Sequence, residues 1–120
     1  MQFTVDSGCE AVFVRSSDQL QDIDTHNIVE ATCANGSKSR SQGAGTISTT
    51  AIGDISDVHF DPTFKANLLG VCPLVDRHKS VIFDKSGVRI IDLPEIFIPE
   101  EHVAATGYRS GSSFKLNLQI

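Results

Sequence analysis

The first eight residues carry the feature that most limits how this chain folds. Phe3-Thr4-Val5 has the aromatic and β-branched side chains that strands favour, and Asp6-Ser7-Gly8 follows at once. Glycine lets a backbone turn sharply, and a serine hydroxyl can hold such a turn with a local hydrogen bond. The pattern predicts a strand over Phe3 to Asp6 that delivers a carboxylate to the lip of a tight turn.

Further short strands are predicted along the rest of the chain, with turn signals between them. Asn-Gly at positions 35 and 36 is the strongest two-residue hairpin signal, because both residues tolerate positive φ. The glycines at 43 and 45 suit a bulge or bend. The remaining predicted strands are Ala11–Arg15, Asn27–Cys33, Lys38–Ser41, Thr46–Ile52, a strand starting at Val58, Asn67–Gly70, Val81–Phe83, Val88–Ile91 and Phe114–Ile120.

Two short helices interrupt the predicted strands. Ser16 with Gln19 three residues later forms a capping-box pattern, which predicts a helix from Ser16 to about Gln21. Pro73 suits a first helical turn and predicts a brief helix to His78. Regular short strands with one or two helices indicate a small, mostly β, barrel-like fold. Residues 1–120 fit a single domain, and residues 100–120 form a candidate C-terminal dimerisation or junction segment.

Composition argues against several classes of function. The net charge of −5 and the scattered basic residues disfavour nucleic-acid binding, and the chain has no apolar run long enough to span a membrane. The three cysteines and four histidines show no ligand spacing, so we expect no metal and no cofactor. Reduced thiols in an intracellular setting fit an odd number of cysteines better than a disulfide framework does.

The order of the motifs resembles the retropepsin family of aspartic proteases, and more closely the protease region of copia-type retrotransposon polyproteins. The resemblance covers nearly the whole chain, although each motif alone is loose. The matching segments are Val5–Cys9, Ala34–Ser37, Gly43–Ile47, Asn67–Gly70, Val81–Gly87, Gly107–Gly111 and Phe114–Leu116.

The resemblance implies an aspartic endopeptidase that acts as a C2 homodimer. Such chemistry needs two carboxylates about 3 Å apart that share a proton, and the chain has a single Asp-Ser-Gly. Asp6 of each protomer would therefore supply one carboxylate, with water activated between the two. Ser7 would hold the two loops together, and Gly8 would let the substrate backbone approach.

The resemblance also implies the parts that bind substrate. Ala34, Asn35, Gly36 and Ser37 would form a flap that closes over the substrate, and Leu69 and Gly70 would form the floor behind the catalytic loop. The alternating segment Phe114–Ile120 is a candidate for the dimer sheet, because a strand at a terminus invites pairing.

The expected substrate is the Gag-Pol polyprotein of the element, cut within a cytoplasmic virus-like particle. The expected partners are a second copy of the chain and a peptide or polyprotein substrate, with no nucleic acid and no membrane. Two alternatives stay open. In the first alternative, the chain is a non-catalytic or domesticated binding and assembly domain of the same fold. In the second, it is the retropepsin-like domain of a cellular shuttle protein.

Overall fold

The computed structural model describes residues 1–32 and 38–120, and this part of the chain is mostly β. The twelve strands, numbered in chain order, are β1 (Phe3–Asp6), β2 (Val12–Val14), β3 (Gln21–Asp24), β4 (Glu30–Thr32), β5 (Lys38–Arg40), β6 (Ala44–Thr49), β7 (Gly53–Phe60), β8 (Asn67–Gly70), β9 (Ser80–Asp84), β10 (Gly87–Ile91), β11 (Tyr108–Ser110) and β12 (Ser113–Lys115). One α-helix, α1 (Val71–Asp76), follows β8 directly, and a 3-10 turn spans Glu100–His102. The mostly β prediction is confirmed.

The central sheet has six strands in the order β1-β8-β2-β7-β6-β3. Strand β8 therefore lies between β1 and β2, parallel to β1 and antiparallel to β2. Among the described strands β1 and β3 are the two edges of this sheet, and no pairing joins them into a closed barrel. The chain thus returns to the gap between its first two strands about halfway along, and this arrangement positions the site.

Strand β2 explains where the core forms. Its three residues are all buried, which is the pattern of a strand covered on both faces. Because side chains alternate along a strand, Val12 and Val14 face one cluster with Leu69 and Leu74, while Phe13 faces the other. Burial of a side chain of this size stabilises the folded state by about 1.5–3 kcal/mol. Because its side chains enter both clusters, β2 connects the two halves of the core.

Three two-stranded hairpins flank the central sheet: β4–β5, β9–β10 and β11–β12. The first of these meets the sheet near Phe60, whose carbonyl oxygen accepts the Gln42 N–H at 2.9 Å and whose N–H donates to the Gly43 carbonyl at 3.1 Å. Residues 33–37, where the Asn-Gly turn was predicted, lie outside the described residues. The flanking strands β4 and β5 pair antiparallel, with Thr32 opposite Lys38.

Several predicted elements are confirmed. Strands β1 and β8 have the predicted bounds, and the β9–β10 hairpin forms around the predicted turn. The predicted bulge is also present, because the pairing of β6 with β7 shifts register between Gly45 and Ile47. The helix predicted from Pro73 begins two residues earlier, so Pro73 lies in the first turn, where its missing N–H has no helical partner to lose.

Two predicted elements are wrong. The segment from Ser16 forms a turn rather than a helix: the Ser16 hydroxyl accepts the N–H of Asp18 at 3.2 Å, and Gln21 already begins β3. A local serine turn has outcompeted the capping box. The predicted strand Phe114–Ile120 is reduced to β12, which ends at Lys115 and pairs only with β11 among the described strands.

No helix in the described ranges is long and apolar enough to cross a bilayer.

Candidate active site

Asp6 is the last residue of β1, and its carboxylate folds back over the turn that follows. One carboxylate oxygen, Oδ1, accepts the Gly8 N–H at 2.8 Å. The Asp6 carbonyl oxygen accepts the N–H of Cys9 at 3.3 Å. These two bonds close the turn predicted from the sequence. Asp6 is half-buried, whereas Ser7 and Gly8 are exposed, so the loop presents its polar atoms to solvent.

Strand β8 supports this loop from behind. Asp6 lies opposite Gly70 in the parallel pairing of β1 with β8, and the Gly70 N–H donates to the Ala11 carbonyl at 3.2 Å. A Cβ at position 70 would lie 2.5 Å from the carbonyl oxygens of both Cys9 and Ala11. Only glycine fits there, because the backbone of the loop passes directly against the backbone of β8.

The Asn67 side chain ties the two neighbours of β8 together. Its amide nitrogen donates to the Gln2 carbonyl at 3.0 Å, next to the start of β1. Its amide oxygen accepts the N–H of Arg15 at 2.9 Å, just beyond the end of β2. One side chain thus bridges the strands on both sides of its own, which fixes β1 relative to β2.

The predicted floor residues lie beneath the loop rather than at its surface. Leu69 and Gly70 are both buried, and Leu69 packs in the main core cluster. The surface beside the loop is instead a cavity of about 290 Å³, whose lining includes Gly8, Cys9, Glu10, Glu30, Ala31 and Ser112. Glu30 and Ala31 belong to β4, so the β4–β5 hairpin borders the same space as the Asp6 loop.

The C-terminal hairpin β11–β12 also lies beside the loop. The Cys72 thiol donates to the Ser112 carbonyl at 3.4 Å, and Arg109 contacts the Asp76 carboxylate at 2.6 Å. The hydrogen bond from Arg109 holds the pKa of Asp76 below its usual range. Phe114 lines a cavity of about 330 Å³ together with Ser7. Helix α1 therefore binds the β11–β12 hairpin, which covers this side of the Asp6 loop.

A polar cluster attaches β5 to the end of β7. The Asp61 carboxylate accepts the hydroxyl of Ser39, and it accepts both the N–H and the hydroxyl of Thr63, at 2.9 and 2.6 Å. Next to it, the Ser41 hydroxyl contacts His59 Nδ1 at 3.2 Å and accepts the N–H of Val29 at 3.0 Å. We call these five side chains, Ser39, Ser41, His59, Asp61 and Thr63, the hairpin anchor.

Burial and hydrogen bonding together set the charge states in the hairpin anchor. Asp61 is only 2% exposed. Burial opposes its ionisation, but the bonds from Ser39 and Thr63 outweigh this, so the pKa of Asp61 lies below its ordinary value. Burial lowers the pKa of His59, and the charge of Asp57 only partly offsets this. The anchor therefore joins a carboxylate held ionised to an imidazole held neutral.

The structure brings together some of the predicted site residues and adds others. Asp6, Ser7, Gly8, Leu69 and Gly70 lie together at the ends of the paired strands β1 and β8. The predicted flap residues Ala34, Asn35, Gly36 and Ser37 lie outside the described residues. The hairpin anchor was not predicted. Its one sequence signal is two polar pairs at strand spacing, Ser39 with Ser41 and His59 with Asp61, which place their side chains on one face of each strand.

No metal centre accompanies the site in residues 1–32 and 38–120, where no group of three His, Cys, Asp or Glu side chains could hold an ion. No protein-family model matches the chain, and no curated protein matches it significantly.

Proposed function

We propose that this chain is a retropepsin-like aspartic endopeptidase, the protease domain of a copia-type retrotransposon polyprotein. The observation that carries the proposal is the Asp6 loop itself. A carboxylate at the end of a strand is held by the Gly8 N–H at 2.8 Å, and buried strand β8 fills the space behind it. A loop built this way holds a carboxylate in one position at a solvent-exposed surface, as a general base requires.

The reaction would use two copies of this loop. Two Asp6 carboxylates about 3 Å apart share one proton, because two negative charges so close are costly. The ionised carboxylate takes a proton from water, and the resulting hydroxide attacks the scissile carbonyl carbon. The protonated carboxyl group donates to the carbonyl oxygen as negative charge builds there. Residues 6–9 contain one carboxylate, so each chain would supply half of this site.

A C2 homodimer of small retropepsin-like domains is the finer architecture in this proposal. Strand β1 supports a dimer, since its outer edge has no neighbour among the described strands and an open edge accepts another strand. The residues after β12 retain an alternating apolar pattern, and Leu116 and Leu118 are exposed in the single chain. These side chains would be covered in the dimer.

The β4–β5 hairpin supports the proposed flap. Its strands flank residues 34–37, and two of its residues, Glu30 and Ala31, border the cavity beside Gly8. A hairpin in this place would cover an extended peptide bound across the loop and exclude water from it. The substrate would be the polyprotein that contains the domain, cut inside a cytoplasmic virus-like particle.

The test is cleavage of an unfolded protein substrate at about pH 5, where a carboxylate pair can hold one proton. Wild type is compared with Asp6→Asn and with the control Asp54→Asn, which changes an exposed aspartate on β7. We expect the rate to rise faster than linearly with protein concentration. Asp6→Asn should abolish cleavage, and Asp54→Asn should leave it unchanged. Equal activity in Asp6→Asn and wild type would contradict the proposal.

A second candidate is a binding or assembly domain of the same fold without catalysis. The observation that favours it is the β11–β12 hairpin, which lies beside Ser7 and Gly8 and so covers one flank of the loop in the single chain. Sedimentation over the same concentration range distinguishes the candidates. A monomer throughout, with no cleavage, supports the binding domain.

A further inference from the structure

The β4–β5 hairpin has few connections to the rest of the molecule. It forms its own two-stranded sheet, separate from the six-stranded sheet. Among the described residues, backbone bonds at Gln42 and Gly43 attach the base of the hairpin, where the chain passes Phe60. Farther along β5, the link between Ser39 and Asp61 joins the hairpin to the segment after β7. The direction of the hairpin therefore depends on the hairpin anchor, together with the packing of Ala31 against Phe13 and Phe64.

Asp61 is built to hold one geometry. Its carboxylate is almost fully buried, and Thr63 fixes it from one side with an N–H and a hydroxyl. The Asp61 N–H donates to the Val14 carbonyl at 2.9 Å, so its backbone is tied to the end of β2. A charged acceptor held in this way forms hydrogen bonds roughly twice as strong as those between neutral groups. The Ser39 hydroxyl thus bonds to an acceptor that does not move with the hairpin.

We propose that Asp61 is a positioning residue that acts through Ser39 to hold the β4–β5 hairpin in place beside the Asp6 loop. Ser39 lies opposite Ala31, whose side chain packs with Phe13 and Phe64. Fixing Ser39 therefore also fixes Ala31 and Glu30 on the border of the cavity next to Gly8. The inference rests on the proposed function only in calling this hairpin the arm of a flap.

Hydrogen exchange tests the positioning role without relying on catalysis. In Ser39→Ala we expect the backbone amides of β4 and β5 to exchange about tenfold faster, since one hydrogen bond to a charged group is lost. The amides of β1 and β8 should keep their wild-type rates. Ser39→Thr restores the hydroxyl and should restore slow exchange. The matched control is Ser48→Ala, which removes an exposed serine hydroxyl from β6.

Asp61→Asn, alone and combined with Ser39→Ala, tests whether the two residues act together. If Asp61 acts through Ser39, the double variant should exchange hardly faster in β4 and β5 than the faster single variant. Additive effects, a uniform increase that includes β1 and β8, or failure of Ser39→Thr to restore slow exchange would each overturn the proposal. If Asp61→Asn does not fold, Ser39→Ala is measured in a Thr63→Ala background, so that the change reports the bond from Ser39 to Asp61 and not the 3.0 Å contact between the Ser39 and Thr63 hydroxyls.

A kinetic measurement then separates this inference from the proposed function. If wild type cleaves polypeptides, Ser39→Ala should raise KM severalfold more than it lowers kcat, because the hairpin contacts substrate while Asp6 is untouched. A lower kcat with an unchanged KM in Ser39→Ala would contradict the positioning role of Asp61. If wild type cleaves nothing, the protease proposal fails, and the exchange result still decides the role of Asp61.

Discussion

The Asp6 loop and the β4–β5 hairpin border one cavity but are held in different ways. The loop is fixed mainly by backbone: strand pairing with β8, the Gly70 N–H to the Ala11 carbonyl, and close contact at a glycine. The hairpin is fixed along its length by side chains, above all by Ser39 and Asp61. The backbone contacts of the loop leave no space for a side chain at position 70. The side-chain contacts of the hairpin depend instead on the hydroxyl of Ser39 and the charge of Asp61.

The difference teaches how a site can combine a rigid part with an adjustable one. The bonds that hold the loop are mostly between backbone groups, which do not titrate, apart from the Gly8 N–H bond to the Asp6 carboxylate. The hairpin anchor contains a carboxylate and an imidazole, and both respond to acid. Substitutions should show the same difference. We expect the loop to be destabilised by added atoms and the hairpin by the loss of polar groups.

The largest expected effect is at Gly70. In Gly70→Ala the new Cβ would lie 2.5 Å from two backbone carbonyl oxygens, which cannot move without shifting the loop. We expect a loss of about 3 kcal/mol or more in the free energy of unfolding, measured by urea denaturation. Gly8→Ala is the control, because its Cβ would lie 3.4 Å from Asp6 Oδ1, an ordinary contact. Similar losses in both variants would contradict the close-contact explanation.

A smaller loss is expected when the hairpin anchor loses its carboxylate. Asp61→Ala leaves Ser39 and Thr63 without their shared acceptor and should cost about 2 kcal/mol in the free energy of unfolding. Asp54→Ala, at an exposed position on β7, should change it by less than about 0.5 kcal/mol. The comparison between loop and hairpin would fail if the Asp61 and Asp54 variants were equally stable.

The pH dependence of stability sharpens the comparison further. Because the pKa of His59 is lowered in the folded protein, the unfolded chain binds its proton first as pH falls below the ordinary value of 6.5. Stability should therefore decrease from about pH 6.5 downward, until the folded-state pKa is passed. Urea denaturation between pH 8 and pH 4 measures this, and His59→Gln should remove the His59 contribution. An unchanged slope in that variant would assign the effect to another group.

Asp61 adds a second acid-sensitive step with the corresponding sign. The pKa of this carboxyl is lowered on folding, so its stabilisation is complete above its ordinary value of 3.8 and is lost as pH falls through the folded-state pKa. Urea denaturation continued below pH 3.8 measures this step, and Asp61→Asn should reduce it and leave the His59 step in place.

The smallest effect is expected at the C-terminal hairpin. Its ion pair joins Arg109 to Asp76 at an exposed surface, where such pairs contribute little. Arg109→Ala should leave the urea midpoint almost unchanged and reduce its dependence on salt. Lys115→Ala, on the same hairpin, is the control. A large loss of stability in Arg109→Ala, but not in Lys115→Ala, would contradict this expectation and show that the β11–β12 hairpin is an integral part of the fold.

The sequence predicts the parts of the site that depend on local signals. Strands β1 and β8 were predicted with their observed bounds, because apolar runs ending in Asp-Ser-Gly and in glycine mark their own limits. The requirement for glycine at position 70 and the bridging role of Asn67 were not predicted. Both arise from pairing between segments far apart in the sequence, which single-residue preferences do not encode.

The errors at Ser16 and in the tail have physical causes of their own. A serine hydroxyl can serve a helix cap or a local turn, and here the entry into β3 at Gln21 decides for the turn. The alternating pattern of Phe114–Ile120 indicates a half-buried strand, but a pattern specifies no partner. The described single chain supplies a partner strand only up to Lys115.

The place of β8 between β1 and β2 also dictates the order in which the Asp6 loop can assemble. The first strand gains its neighbour only when Asn67–Gly70 is available, so residues at opposite ends of a long loop must meet. Closing such a loop costs entropy before any contact repays it, and this slows folding. In a chain still emerging from the ribosome, the Asp-Ser-Gly motif precedes Gly70, and the loop around the motif cannot assemble until Gly70 has been synthesised. Such a delay would leave the Asp6 turn without its supporting strand until residues 67–70 have been added.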